Sequence, residues 1–189
     1  MIIDVYSRYI ISAKVFEADN AQNARDFLEL ALGSHDIKPN QLVIHSDNGS
    51  SMKSNLVLDL YRDAGVTFSH SRPRVSNDNP YSESFFRTLK YSGTYLYPRE
   101  GFRDVVHAQK WLDGFIDFYN YKQRHSALRM VTPADRYFGR EEEILKRREQ
   151  TLLQCKAEHP ERWIGHSVAC CTPVGAVFLN PDNGESCIS

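Results

Sequence analysis

Apolar positions recur along this 189-residue chain in two rhythms, and each change of rhythm marks an element. Met1 to Phe16 clusters β-branched and aromatic residues on either side of Ser7-Arg8, which predicts a hairpin of two strands. From Asn20 the period lengthens: Ala24, Phe27, Leu28 and Ala31 fall on one face of a helix that Asn20 can cap and Gly33 stops. Leu42-Val43-Ile44 reads as a short buried strand ending in His45-Ser46-Asp47-Asn48-Gly49. A second helix is expected from about Ser51, turning Leu56, Leu60 and Ala64 inward and closed by Gly65. Val66 to Phe68 is the next strand, and Ser71 to Pro80 a turn-rich loop.

Helical spacing dominates the remainder. Ser82 to about Tyr95 predicts a third helix, and Val105 to Tyr121 a fourth with Trp111, Phe115, Phe118 and Tyr119 on its apolar side. Thr132 followed by Pro133 looks like a cap with proline at the first helical position, opening a last helix that becomes highly charged from Glu141 to Glu149. Strands alternating with helices define an α/β class. The length suits one sizeable core, so the expected organisation is a core at residues 1–150 and a short C-terminal tail at 151–189.

Charge refines this picture locally. A net charge of -1 is not that of a domain that coats nucleic acid by bulk attraction. Between Ser71 and Arg103, however, Arg72, Arg74, Arg87, Lys90, Arg99 and Arg103 face only Asp78, Glu83 and Glu100, so nucleic-acid contacts are to be sought there. Cys155, Cys170, Cys171 and Cys187 show no C-x-x-C spacing, which argues against a zinc ribbon or a disulfide framework and for a reduced, cytoplasmic protein. No apolar stretch is long enough for a transmembrane helix, and Asp4 interrupts the apolar start too soon for a signal peptide.

Two carboxylates stand out. Two-metal phosphoryl transfer requires acids from distant sequence positions to converge on two ions about 3.5–4 Å apart. Asp47 is expected at the C-terminal end of a strand, where open α/β sheets carry their sites, with Asn48-Gly49 turning the chain beneath it. Glu83 follows after 35 intervening residues, near the start of a helix. Steps of four and three residues align Glu83, Arg87 and Lys90 on one side of that helix, while Phe85, Phe86 and Leu89 take the opposite side and anchor it in the core. The stripe suits a metal-ligating acid with two phosphate-seeking cations. It equally suits a solvated face with one i,i+4 ion pair, and an Asp-Asn-Gly run is by itself most often a plain turn.

The runs Ile3-Asp4-Val5-Tyr6-Ser7-Arg8, His45-Ser46-Asp47-Asn48-Gly49-Ser50 and Asn79-Pro80-Tyr81-Ser82-Glu83-Ser84-Phe85-Phe86-Arg87-Thr88-Leu89-Lys90 resemble the integrase-core DDE transposases of bacterial insertion sequences, relatives of retroviral integrases. Tyr119-Asn120-Tyr121, Arg124-His125, Leu128, Thr132-Pro133, His159-Pro160-Glu161-Arg162-Trp163 and Phe178-Leu179-Asn180-Pro181 continue the likeness over nearly the whole chain.

The resemblance implies a ribonuclease H-like fold, a mixed sheet flanked by helices, with a triad of two aspartates and a glutamate holding two ions of Mg2+ (or Mn2+). Asp47 matches the second aspartate and Glu83 the glutamate; Arg87 and Lys90 fall where basic residues contact DNA. In that family Asp4 lies on the second strand, and the first aspartate sits on the preceding strand, in an Asp-Ile-Thr-like run with no counterpart here. The expectation is therefore a core lacking its first strand, with Asp4 in a structural role near the hairpin turn. The implied activity is DNA transposition by end cleavage and strand transfer, with transposon ends and target DNA as partners, a homo-oligomer when active and no membrane. The alternative is a catalytically inactive, truncated transposase that keeps DNA or subunit binding. His45 and His70 are expected to pack or hydrogen-bond rather than hold a hard ion, while Arg124 and His125 either position the fourth helix or touch phosphate.

Overall fold

The computed structural model describes residues 1–35, 37–72, 80–91, 95 and 97–179; Arg74, Asp78, Asn79, Asn180, Pro181 and Cys187 lie outside the described residues. Two compact units form, one from the described part of residues 11–113 and one from 2–10 together with 114–178. Strands β1 (Ile2–Ile3) and β2 (Ile10–Ser12) make one two-stranded sheet, and β3 (Val43–Ser46) and β4 (Thr67–His70) make another.

In the first unit, helix α1 (Ala21–Gly33) starts where the Asn20 side chain accepts from the Asn23 N–H at 2.8 Å, and buries Phe27, Leu28 and Ala31. The apolar stripe thus lies where the helical period puts it. β3 and β4 run parallel, with Val43 opposite Thr67 and Ser46 opposite His70. Parallel neighbours need a crossover, and α2 (Asn55–Asp63) supplies it, packed against α1. Its cap is Ser54, so the helix begins four residues later than about Ser51. Its buried stripe is also one residue on: Val57 and Tyr61 are fully buried while Leu56 is 44% exposed. Either i,i+4 pair satisfies the helical period, and only the neighbouring sheet and helix choose between them. Val43 is likewise 65% exposed, so the β3 segment is not the buried strand that its three aliphatic residues predict.

Gly65 (φ 63°) ends the α2 crossover, and a Cβ there would lie 3.0 Å from the Pro39 Cα. This position calls for glycine both by conformation and by space. Helix α3 (Pro80–Tyr91) follows β4, and α4 (Val105–Tyr121) begins where Asp104 accepts from the His107 N–H at 2.7 Å. On the first turns of α4, Trp111 packs its ring against Tyr95, Tyr97 and Phe102, with centroids 5.3–5.5 Å apart. These residues thus satisfy one another within the chain.

The second unit is built round the far half of α4. Phe115 and Tyr119 are buried, and so is Asn120, whose Oδ1 accepts from the Ile10 N–H (2.9 Å) while its Nδ2 donates to the Ile10 carbonyl (3.1 Å). One amide therefore replaces a strand neighbour for β2. The helix expected from Thr132 is two helices, α5 (Pro133–Tyr137) and α6 (Glu141–Glu158). The break falls at Gly139, whose φ of 70° is the left-handed conformation that stops a helix. α5 keeps the expected Thr132 cap, reciprocated by Asp135 in a capping box, with Pro133 in the first turn. Cys171, from the stretch expected as a tail, is buried with Leu128, Val131 and Leu145.

His125, four residues past the end of α4, forms a short antiparallel bridge to Val131, its ring edge-on to Tyr119 at 4.8 Å. Burial first, and then the charge of Arg8, push its pKa down to about 4 from 6.5. The folded state keeps the neutral ring, so its contribution is fully present above about 6.5 and is lost as pH falls towards 4. Urea midpoints are expected to fall across that window, and His125→Gln to flatten the fall. An identical slope in the variant would refute the assignment.

Candidate metal and DNA site

Asp47 follows directly on β3, at the C-terminal end of a parallel pair, and its side chain is exposed. Its Oδ1 accepts from the Gly49 N–H at 3.0 Å, the Asx turn that Asp-Asn-Gly favours. A Cβ on Gly49 would meet that oxygen at 3.1 Å, a tight contact that glycine avoids. The Asp47 carboxylate is thereby given a direction, and accepting one N–H leaves it further lone pairs for a ligand.

Around this turn lies a set of histidine–serine bonds. In the last two rungs of the sheet, His45 faces Ser69 and Ser46 faces His70. The His45 Nδ1 is 2.9 Å from the Ser69 Oγ and its Nε2 3.2 Å from the Ser71 Oγ, while the Ser46 Oγ is 2.8 Å from the His70 Nδ1. Beyond β4 the Ser71 N–H donates to the Ser46 carbonyl at 2.9 Å, and the Asn48 side-chain amide donates to the Ser71 carbonyl. Both histidines thus hydrogen-bond to serines. Sequence spacing offers a faint signal of this, since His-Ser recurs at 45–46 and Ser-His at 69–70.

Glu83 stands in the first turn of α3, exposed, with Arg87 and Lys90 exposed on the same side of the helix. Phe85 turns inward and is 3% exposed, whereas Phe86 is 50% exposed and does not anchor the helix. Adjacent residues are about 100° apart on a helix, so a single buried face does not take both equally. An acid at the helix N-terminus meets the positive end of the dipole. Two cations on the same side extend a polar strip along α3.

Asp4 belongs to the second unit, and its Oδ2 accepts from the Ser7 N–H at 2.8 Å and from the Ser7 hydroxyl. It shapes the turn that places Arg8 at φ 65°, so its carboxylate is engaged locally, as the hairpin reading expects. Asp47 and Glu83 both supply hard oxygen donors of the type that suits Mg2+ or Mn2+. Among the described residues, no three His, Cys, Asp or Glu side chains gather into a group that could hold a metal ion. Each carboxylate is by itself a donor of the kind a divalent cation takes, and a complete triad is not assembled from the described residues. Also among them, no helix is long and apolar enough to cross a membrane.

Residues 1–76 match the family described as integrase core domain, and residues 64–133 match a second family of the same description. The chain is 31% identical over 134 residues to the transposase for insertion sequence element IS904 of Lactococcus lactis subsp. lactis (strain IL1403), covering 70% of this chain and 51% of that protein. It is 25% identical over 135 residues to the putative transposase InsK for insertion sequence element IS150 of Escherichia coli (strain K12), covering 71% of this chain and 46% of that protein. The chain thus spans about half the length of these curated relatives. Among solved structures it resembles the catalytic core domain of BIV integrase, with a TM-score of 0.52 at 20% identity, over 74% of this chain and 84% of that one. That likeness gives the fold: the ribonuclease H-like architecture of an integrase core.

Proposed function

We propose, for a chain that belongs to the integrase core family, that it serves DNA transposition, with Asp47 and Glu83 as two of the acids at which phosphodiester bonds are cut and joined. The observation that carries this reading is the Asp47 turn. An exposed carboxylate stands at the C-terminal end of a parallel strand, oriented by the backbone N–H of Gly49 two residues on. Such placement is what convergent carboxylate chemistry needs.

Asp47 and Glu83 would hold Mg2+ or Mn2+, which when bound supplies charge neutralisation at the phosphate and acidifies the attacking hydroxyl. The protein's own work is positioning. Asp47 presents its carboxylate from the end of β3, and Glu83 presents one from the first turn of α3, where the helix dipole favours negative charge. Arg87 and Lys90, one and two turns further, would take DNA phosphates and set the strand's register against the two acids. The proposed organisation remains a core at residues 1–150 acting on element ends and target DNA in the cytoplasm, with a second copy completing the active assembly.

Strand transfer of labelled DNA ends in Mg2+ tests this reading: product at the parental level in Glu83→Gln overturns the assignment. The DNA face has its own test. Arg87→Ala with Lys90→Ala is expected to shallow the slope of log affinity against log salt by about 1.8, at about 0.9 per lost phosphate contact. Equal affinities at low salt would mean that α3 does not lie on DNA.

A further inference from the structure

The His45 ring is held at both nitrogens, and its two partners lie on either side of the point where β4 ends: Ser69 is within the strand and Ser71 one residue past it. Strand alternation puts Ser69 and Ser71 on the same side of the chain, so one imidazole can span them. Several bonds converge on Ser71. Its N–H and hydroxyl both donate to the Ser46 carbonyl, at 2.9 and 3.4 Å, its hydroxyl also meets His45, and its carbonyl accepts from Asn48. Asn48 lies between Asp47 and the Gly49 whose N–H orients the carboxylate. A continuous path of hydrogen bonds therefore leads from the His45 ring, through Ser71 and Asn48, to the Asp47 turn.

Among the described residues, His70 makes no equivalent reach. Its Nδ1 bond is to Ser46, the residue directly opposite it in the sheet, and so ties a rung that backbone pairing already sets. A merely polar sheet surface would account for His45–Ser69 in the same way. It does not account for the second bond to Ser71, outside the strand, at the residue that Asn48 also grips.

We propose that His45 is a positioning residue for Asp47: by bridging Ser69 and Ser71 it holds the exit of β4 in one conformation, and Asn48 passes that constraint to the carboxylate turn. This rests on the reading of Asp47 as a metal ligand only for its consequence, weaker ion binding, and not for the latch itself. His45 touches neither DNA nor ion in this role. Outer groups that orient a ligand typically change metal affinity 10–100-fold.

NMR of the whole chain with added Mn2+ separates the two ideas. In the parent, the Asn48 side-chain amide, bonded to the Ser71 carbonyl, is expected to give a dispersed signal, and Mn2+ to broaden the Gly49 backbone amide. His45→Ala is expected to collapse the Asn48 side-chain dispersion and lower Mn2+ affinity about 10-fold, with the far-ultraviolet circular dichroism unchanged. His45→Gln, whose amide can donate to one serine and accept from the other, is expected to restore both. If His45→Ala leaves the Asn48 and Gly49 signals in place, or if His45→Gln fails to restore what His45→Ala loses, the latch is wrong. Broadening that survives Asp47→Asn refutes the metal reading instead, and the Asn48 signal then decides the latch alone. Should His45→Ala unfold the chain, Ser71→Ala is the second variant, expected to shift the same two amides while leaving the Ser69 bond.

Discussion

Asp47→Asn is expected to lower strand transfer by about 10³-fold, the equivalent of the several kcal/mol that metal-held charge contributes to a phosphoryl-transfer transition state. The variant is chosen because it alters little else. An asparagine Oδ1 can still accept from the Gly49 N–H, so the Asx turn persists with the same number of heavy atoms over the glycine. What disappears is the negative charge and the second equivalent oxygen. Asp47 is also exposed and outside the buried clusters, so thermal melts of parent and variant should coincide. The measurement is the rate of joining labelled DNA ends to a plasmid target in Mg2+, made beside a melting curve. A variant rate within threefold of the parent removes Asp47 from the chemistry, and a parent that binds DNA without joining it favours the binding-only alternative.

Arg136→Ala should destabilise the fold by about 3–5 kcal/mol, the range for breaking one side of a buried ion pair. Arg136 is 2% exposed, and its Nη1 donates to the Glu141 Oε2 at 2.9 Å. Its Nε donates to the Tyr6 carbonyl at 2.9 Å, and its Nη2 to the Val174 and Gly175 carbonyls at 2.8 and 3.2 Å. The guanidinium also lies 3.9 Å from the centre of the Tyr6 ring. Desolvating the pair is costly, and the hydrogen bonds and the ring offset that cost. Truncation would leave the Glu141 carboxylate and three carbonyls without their donor, which is worse than never having buried the pair. Arg136→Lys is expected to recover little, because an ammonium on a flexible stem lacks the planar fork that meets four acceptors. Urea denaturation followed by circular dichroism is the check; a loss below 1 kcal/mol would show the cluster to be peripheral.

Local chemistry was legible where a residue and its structural partner are close in sequence. Asn20, Thr132 with Pro133, and the Asp47-Asn48-Gly49 turn all lie where their side chains and backbone preferences place them, and α1 ends at Gly33 as expected although Ser34 is its cap. The polar side of α3, with Glu83, Arg87 and Lys90, is similarly a matter of spacing along one helix. One local feature is not legible: a lone glycine in a charged run is tolerated often enough that only the left-handed φ of Gly139 shows the break between α5 and α6. The other features that the pattern does not give have partners far away in sequence.

By itself, then, the sequence determined the kind and order of most elements, the Asn20 and Thr132 caps and the turn at Asp47, since each depends on residues within about four positions of one another. Tertiary structure alone decided that Val57 and Tyr61 rather than Leu56 face the core, that Phe85 is buried and Phe86 is not, and that Asn120 pairs with Ile10 across 110 residues. It also decided that Arg136 gathers Tyr6, Glu141, Val174 and Gly175, and that His45 reaches past its own rung to Ser71. The physical reason is common to all of these. A periodic pattern specifies which positions lie on the same side of an element, whereas burial and hydrogen-bond partnership depend on which other surface meets that side.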